Sequence, residues 1–523
     1  MSQKIFLYDT TMRDGAQTEG ISLSVSDKMQ ILAKLDELAI PYIEGGWPMA
    51  SPKEMEFFLK AKKELKLKHS VLTAFGSTRK ANMAVGKDPQ VKSLLDSGAQ
   101  VATIFGKTWD LHVKEVFRVP LEENLKMIHE TVAYLKKQGV EVMYDAEHFF
   151  DGYRANPEFA LKTLEAAADA GASTIILCDT NGGSLPHYVY ETVKLVRARI
   201  AVQLGIHCHN DSELAVANSI AAVEAGVAQI QGTINGYGER CGNANLSSII
   251  PVLQLKMDRP VVPSDRLKHL TEVSHFVAEI CNMRTNDHQP FVGASAFAHK
   301  GGVHINAVLK NTLTYEHIDP ALVGNEQRLL ISEMGGKTTI QARAKKLKID
   351  PDADPEKAKA FLATVREREN AGFHYEVAEG SLELLLRKAY DKFKSSFDLE
   401  KFSVLVEKTP KELTSQATIK LKVDGKTQLT VGEGDGPVNA LDQALRSALQ
   451  KFYPQVGEMH LVDFKVRVLE SDQGGTAARV RVLIQSQDED DSWWTIGVSE
   501  NIIEASWQAL VDSVEYKLLK DKK

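Results

Sequence analysis

The sequence predicts an α/β protein: a (β/α)8 barrel in its first half, then a helical region, then a C-terminal α+β domain. Three observations carry the barrel. Strand-like and helix-like segments alternate through the first 240 residues. Eight strand-like runs occur there, and eight parallel strands with their helices in about 250 residues is the size of a closed barrel. Polar, reactive side chains gather at the C-terminal ends of those runs, where such barrels assemble their sites. A doubly wound open sheet shares the periodicity, so it is the clustering that favours closure.

The strand-like runs are 4–11, 42–48, 70–76, 101–107, 141–148, 173–180, 204–211 and 229–239. Each is rich in β-branched or aromatic residues and bounded by Gly, Pro or Asp. After the first, Val25, Met29, Leu32, Leu35 and Ala39 keep one apolar face at helical spacing. Asn156-Pro157 reads as an N-cap followed by proline in the first turn. The barrel is assigned to residues 1–260.

Residues 261–395 read as mostly helical, with a Pro/Asp break at 350–355. That break resembles a calcium loop only superficially, because its sixth position is Pro355 and its twelfth is Phe361. From 396 to 523 the pattern alternates as in strands. Ile419, Leu421 and Val423 precede an Asp424-Gly425 turn, and Leu429 and Val431 follow it, which predicts a hairpin. A helix over 438–449 comes next. Phe464, Val466 and Val468, then Val480, Val482 and Ile484, then a helix over 501–516 repeat the scheme, a weak internal repeat. The acidic run 488–491 reads as a solvated hairpin tip.

Hydrophobic residues make up 43% of the 523 and charged residues 25%, which excludes collagen, a disordered tail and a disulfide scaffold. The 63 Lys and Arg against 70 Asp and Glu leave a net charge of −7, with no bulk attraction for nucleic acid. No apolar stretch approaches the roughly 18 residues of a membrane span. The start, MSQKIFLYDTTMRDG, lacks the pattern of a signal peptide. Cys178, Cys208, Cys241 and Cys281 form no C-x-x-C pair and read as free thiols of a cytoplasmic protein.

His207-Cys208-His209 is the sharpest local signal for chemistry. Residues two apart on a strand share a face, so both imidazoles point the same way at the barrel mouth. They are either ligands for a divalent metal or two hydrogen-bonded barrel histidines. Asp14, at the end of the first run, adds a carboxylate at the same mouth and favours the metal. Arg13 is suited to hold a carboxylate or a developing oxyanion, or else forms a structural ion pair. Glu147 ends the fifth run and is a candidate base, or else a supporting carboxylate. His304 and Tyr315, beyond the barrel, read on residue type alone as structural.

The turn Gly236-Tyr237-Gly238-Glu239-Arg240-Cys241-Gly242-Asn243 is of a kind that can aim backbone N–H groups at an anion. It is not a dinucleotide fingerprint, since Cys241 stands where the third glycine is required. Gly335-Gly336-Lys337-Thr338 is not a P-loop, because Ile331 holds the first glycine position. No G-x-S-x-G elbow is present.

Asp9-Thr10-Thr11-Met12-Arg13-Asp14-Gly15, His207-x-His209 and Gly236-x-Gly238-Glu239-Arg240-x-Gly242-Asn243 together resemble the metal-dependent acyl-CoA condensing enzymes: the 2-isopropylmalate, homocitrate and citramalate synthases. The family often has Leu where this chain has Met12, an apolar exchange. The resemblance runs the whole length. Lys107-Thr108-Trp109-Asp110 and Tyr144-Asp145-Ala146-Glu147-His148 are most similar to the citramalate synthase branch.

The resemblance implies a divalent ion (Mg, Mn or Zn) held by Asp14, His207 and His209, with Asn243 as a further ligand. It implies that Arg13 and Thr180 contact a 2-oxo acid and that Tyr144 lines the pocket for its side chain. Glu147 matches the position of a base or base-assisting group, and His304 and Tyr315 match residues that the family brings from its subdomain, often across a dimer. The base is therefore open between Glu147 and the His304/Tyr315 pair. The substrates implied are acetyl-CoA and pyruvate, with 2-oxoisovalerate, as in 2-isopropylmalate synthase, the alternative to pyruvate. Gly432-Glu433-Gly434-Asp435-Gly436 resembles part of an end-product-sensing domain, with isoleucine the expected effector and a homodimer the expected assembly.

Overall fold

The computed structural model describes residues 3–330, 344, 349, 354–469 and 478–522. Gly335–Thr338 and positions 350–353 of the Pro/Asp break therefore lie outside the described residues. The chain forms two compact units. One runs to Phe297 and takes in His317–Gln327; the other is Ala298–Glu316 with everything from Arg328 onward.

In the first unit, eight parallel strands close into a barrel in chain order. They are β1 (Phe6–Asp9), β2 (Tyr42–Gly46), β3 (Val71–Ser77), β4 (Val101–Lys107), β5 (Glu141–Glu147), β6 (Thr174–Asp179), β7 (Gln203–Cys208) and β8 (Gln229–Gly232). Closure is direct: Phe6 lies opposite Gln229 and Asp9 opposite Gly232. The open-sheet alternative falls with that pairing.

Both faces of each strand are buried, one by the barrel interior and one by the helix layer, which is why the runs read as nearly continuous apolar segments. Helix α1 (Val25–Glu37) starts at a capping box between Ser24 and Asp27 and buries Ile31, Leu32 and Leu35 against the strands. It ends sooner than its apolar spacing predicts. Ala39 lies past its end at φ 64°, so that residue turns the chain toward β2 rather than extending the helix face. Asn156 caps the helix Pro157–Ala170, with Pro157 in its first turn, as the dipeptide predicts.

The second unit holds the helices Pro355–Asn370 and Glu379–Ala389 and two copies of a strand-strand-strand-helix pass. The first copy is β9 (Asp398–Lys408), β10 (Leu413–Val423), β11 (Lys426–Gly434) and the helix Pro437–Leu449. The second is β12 (His460–Val468), β13 (Val480–Gln487), β14 (Ser492–Ser499) and the helix Ile502–Lys520. The internal repeat is thus real, with one more strand per copy than the alternation reveals: β9 in the first, β14 in the second. The Asp424-Gly425 hairpin closes with both residues at positive φ, 47° and 75°, the primed turn that strand twist favours.

The acidic run is the hairpin tip between β13 and β14, with 489–491 exposed as expected, but Asp488 departs from that expectation. Asp488 is buried, with 5% of its surface exposed, and its carboxylate accepts from Lys517 Nζ at 2.9 Å and Lys520 Nζ at 3.1 Å. It also accepts the N–H groups of Asp490 and Asp491. The last turns of the following helix supply the cations, 29 and 32 residues on, so local sequence could not show the pairing.

Candidate active site

Strand β1 ends at Asp9, whose carboxylate accepts the N–H and hydroxyl of Thr11. Thr11 Oγ1 in turn accepts Ile234 N–H from the segment after β8. This ties the first and last loops of the barrel together. The N–H groups of Arg13, Asp14 and Gly15 all converge on Thr10 O, a tight turn that points Arg13 and Asp14 over the barrel mouth. His207 lies within β7 and His209 just past it, both on the inner face.

The loop after β8 folds back on β7. His209 and Asn243 form an isolated bridge, and Ala244 N–H donates to Cys208 O. Two glycines allow this. Gly242 sits at φ 91°, where a Cβ would stand 2.0 Å from Gly236 O, and a Cβ on Gly238 would stand 2.7 Å from Asn243 Oδ1. The N–H groups of Gly236, Gly238, Gly242 and Asn243 are all taken by partners inside the chain. Those four are therefore not free to meet an anion, and the loop delivers the Asn243 side chain to the site.

Asp14 Oδ2 lies 3.2 Å from His207 Nε2 and 4.0 Å from His209 Nε2. The two Nε2 atoms are 3.3 Å apart. Asn243 Nδ2 donates to Asp14 Oδ2 at 2.8 Å, leaving Asn243 Oδ1 buried with no partner among the described residues. His209 Nδ1 is likewise buried and unpartnered. One carboxylate, two facing imidazole nitrogens and an orphaned amide oxygen form a donor set that suits a divalent cation.

Electrostatics reinforce this. Burial alone would raise the Asp14 pKa, but Arg13 and His207 outweigh it and hold the carboxyl far below its ordinary range. Burial, then the neighbouring His207, push His209 down to about 3, which keeps its ring neutral. Arg13 is pinned by three groups. Its Nη1 is 3.2 Å from Asp14 Oδ1, its Nε donates to Glu44, and its guanidinium lies 3.8 Å from the Phe75 ring centroid.

These groups open onto a cavity of about 230 Å³. One side is polar: Arg13, Asp14, His207, His209 and Thr180. The other is aromatic. Phe75 and Phe105 stack at 5.5 Å, and Trp47 meets both edge-on at 5.9 and 5.8 Å. Glu147 lines the mouth, paired with Lys107. Thr180 Oγ1 accepts His148 N–H at 2.8 Å, which leaves its own hydroxyl proton for another acceptor.

Tyr144 does not line this cavity, and the expectation that it does is corrected. Along β5 the inner face carries Met143, Asp145 and Glu147. Tyr144 points the other way, wholly buried in the core shared with the helix layer, and a Cβ on Gly106 would stand 2.9 Å from its ring. His304 and Tyr315 belong to the second unit, where their ring centroids are 4.1 Å apart and both residues are exposed.

Trp47, Phe75, Phe105 and Asp145, which line the cavity, escaped sequence reasoning, as did Glu44 and Gln231, which pair with Arg13 and His207. Tyr8 Oη contacts Glu44 Oε1 at 2.8 Å, Thr73 Oγ1 at 2.8 Å and Thr103 Oγ1 at 2.7 Å, a polar plug beneath Arg13. A carboxylate inside the apolar run Tyr-Ile-Glu-Gly-Gly was the available signal for Glu44.

A family model described as HMGL-like matches residues 4–277. A homocitrate synthase post-HMGL domain-like model matches 291–371, and a LeuA allosteric (dimerisation) domain model matches 376–518. The (R)-citramalate synthase of Aquifex aeolicus is 53% identical over 525 residues, covering 100% of this chain and 99% of that protein. The (R)-citramalate synthase of Geobacter sulfurreducens is also 53% identical, covering 99% of this chain and 98% of that one. The 2-isopropylmalate synthase of Methanocaldococcus jannaschii is 31% identical, covering 99% and 96%.

Proposed function

The chain belongs to the (R)-citramalate synthase family, and we propose how its own residues carry out that condensation. The enzyme is an acyltransferase that joins acetyl-CoA to pyruvate and hydrolyses the thioester, giving citramalate and CoA. The observation that carries the residue assignments is the two-sided cavity. A charged side suits the oxo and carboxylate oxygens of a 2-oxo acid, and an aromatic side faces its methyl group.

Asp14, His207 and His209 would hold the divalent ion (Mg, Mn or Zn), with Asn243 Oδ1 as a further ligand. Bound there, the ion draws electrons from the keto oxygen and makes the keto carbon more electrophilic. Arg13, fixed by Glu44, binds the carboxylate end and stabilises the alkoxide as it forms. The Thr180 hydroxyl donates to the same carboxylate. Phe75, Phe105 and Trp47 exclude water and close the space beyond the methyl.

Glu147 takes a proton from the acetyl methyl, and the resulting carbanion attacks the keto carbon to form the new C–C bond. His304 and Tyr315 are the second candidates for that proton. The alkoxide gains a proton, and water then cleaves the thioester, releasing CoA as the thiol. The C-terminal unit is a sensor for isoleucine in a homodimer, on a pathway to that amino acid. Free cysteines and these substrates support a cytoplasmic location.

Thiol release from acetyl-CoA, with Mg²⁺ or Mn²⁺, is measured against pyruvate, 2-oxobutyrate, 2-oxoisovalerate and 2-oxoglutarate in parallel. Release with pyruvate is expected to dominate. Dominant release with 2-oxoisovalerate overturns the pocket assignment, and none with any acid overturns the site.

A further inference from the structure

His207 opposes Gln231 in register on the neighbouring strand, and both side chains point into the barrel. His207 Nδ1 lies 2.9 Å from Gln231 Oε1. On its other side, Gln231 Nε2 donates to Asp145 Oδ1 at 3.0 Å, reaching across the interior to β5. Gln231 is fully buried, and Asp145 and His207 are 4% and 5% exposed. At that depth each polar atom keeps its one partner, because water is not at hand to replace it.

Donor and acceptor roles along this row are dictated by chemistry. The amide nitrogen of Gln231 donates to Asp145 Oδ1, so its oxygen faces His207. An amide oxygen only accepts, so His207 carries a proton on Nδ1. The lone pair that can reach a cation is then on Nε2, the atom 3.2 Å from Asp14 Oδ2. With the amide turned over, its NH2 group would face Nδ1, the imidazole proton would move to Nε2, and ligation would be blocked. His209 has no such guide, since its Nδ1 has no partner among the described residues.

We propose that Gln231, oriented by Asp145, is a positioning residue that selects the Nδ1–H form of His207 and so presents Nε2 to the cation. This rests on the cation reading of the Asp14–His207–His209 cluster. Hydrogen-bond partners of this kind fix the tautomer of a ligating histidine and typically govern affinity by about 10–100-fold.

The full-length protein tests it with two readouts. Side-chain ¹⁵N NMR of His207 in the metal-free protein, at alkaline pH where the ring is neutral, reports the tautomer. Titration with Mn²⁺ reports affinity. Wild type is expected to show Nδ1–H at His207, and Gln231→Met to lose that preference and bind Mn²⁺ about 10–100-fold more weakly. Gln231→Glu combined with Asp145→Asn reverses the amide and the carboxylate but keeps the acceptor on Nδ1. That pair is expected to restore the tautomer and bring Mn²⁺ affinity back toward wild type.

Nε2–H at His207 in wild type overturns the proposal, as does a swapped pair that binds no better than Gln231→Met. Wild type that shows Nδ1–H yet takes up no Mn²⁺ overturns the cation reading instead. The NMR signature and the swap stand even where Gln231→Met folds poorly.

Discussion

The Nε–H of Arg13 is donated to the carboxylate of Glu44, which sits wholly buried one strand away. Glu44 is itself anchored by Tyr8, and burial together with its acidic neighbours raises its pKa, while Arg13 and Tyr8 draw it back down. An arginine held this way cannot swing with the substrate, and its charge is aimed before the reaction begins. Arg13→Ala is expected to lower kcat by about 10²–10³-fold with acetyl-CoA and pyruvate. Glu44→Gln keeps the charge on Arg13 but loosens its hold, so kcat falls by less, up to about 10²-fold, the cost of a misplacement of roughly 1 Å. Near-normal kcat in Arg13→Ala would remove Arg13 from the reaction.

In the proposed site the aromatic side of the cavity faces the methyl group of the acid. Phe105→Ala removes one of three rings that brace one another. The kcat/KM ratio of 2-oxobutyrate over pyruvate is expected to rise by about tenfold or more, the worth of one methylene in such a pocket. An unchanged ratio would mean that the methyl points elsewhere.

Tyr144→Phe is expected to leave KM for pyruvate unchanged, because the ring lies on the helix side of β5. A tenfold rise in KM would put the hydroxyl in the pocket and contradict the phase of the strand.

Chelation is expected to abolish CoA release and added Mn²⁺ to restore it, with the circular dichroism spectrum constant throughout. Asp14→Asn removes the carboxylate shared by both imidazoles and should weaken Mn²⁺ binding more than any change outside the ligand set. Equal Mn²⁺ binding by wild type and this variant would place the ion elsewhere.

Asp488 gives the second unit a pH dependence. Burial alone would raise its pKa, but Lys517, Lys520 and two N–H groups outweigh it and hold the carboxyl well below the ordinary range. A lowered folded pKa stabilises the protein above the unfolded value of about 3.9, and that contribution disappears as pH falls through the folded value. At pH 7, Asp488→Asn should therefore be less stable than wild type, by about 1–3 kcal/mol. The gap in thermal midpoint should close as pH drops below about 4. A gap constant down to pH 3 would mean that Asp488 is not held by the lysines.

The sequence by itself determined the barrel, the two-copy C-terminal domain and the Asp14, His207 and His209 cluster. These rest on local regularities: strand-helix alternation, an Asp-Gly turn, and two histidines at the spacing that puts them on one strand face. Four things waited for the tertiary structure. The inward phase of β5, which turns Tyr144 out and Asp145 in, is set by pairing with β4 and β6, and a one-residue shift reverses every side chain. The pairing of Asp488 depends on a lysine that arrives 29 residues later. The place of Glu44 under Arg13 needs two strands side by side. The row from Asp145 through Gln231 to His207 needs the barrel closed, because Asp145 and Gln231 come from strands 86 residues apart in the chain. The first is a matter of strand register and the other three are polar contacts between residues distant in sequence; local patterning encodes which residues are apolar but not which polar groups will meet.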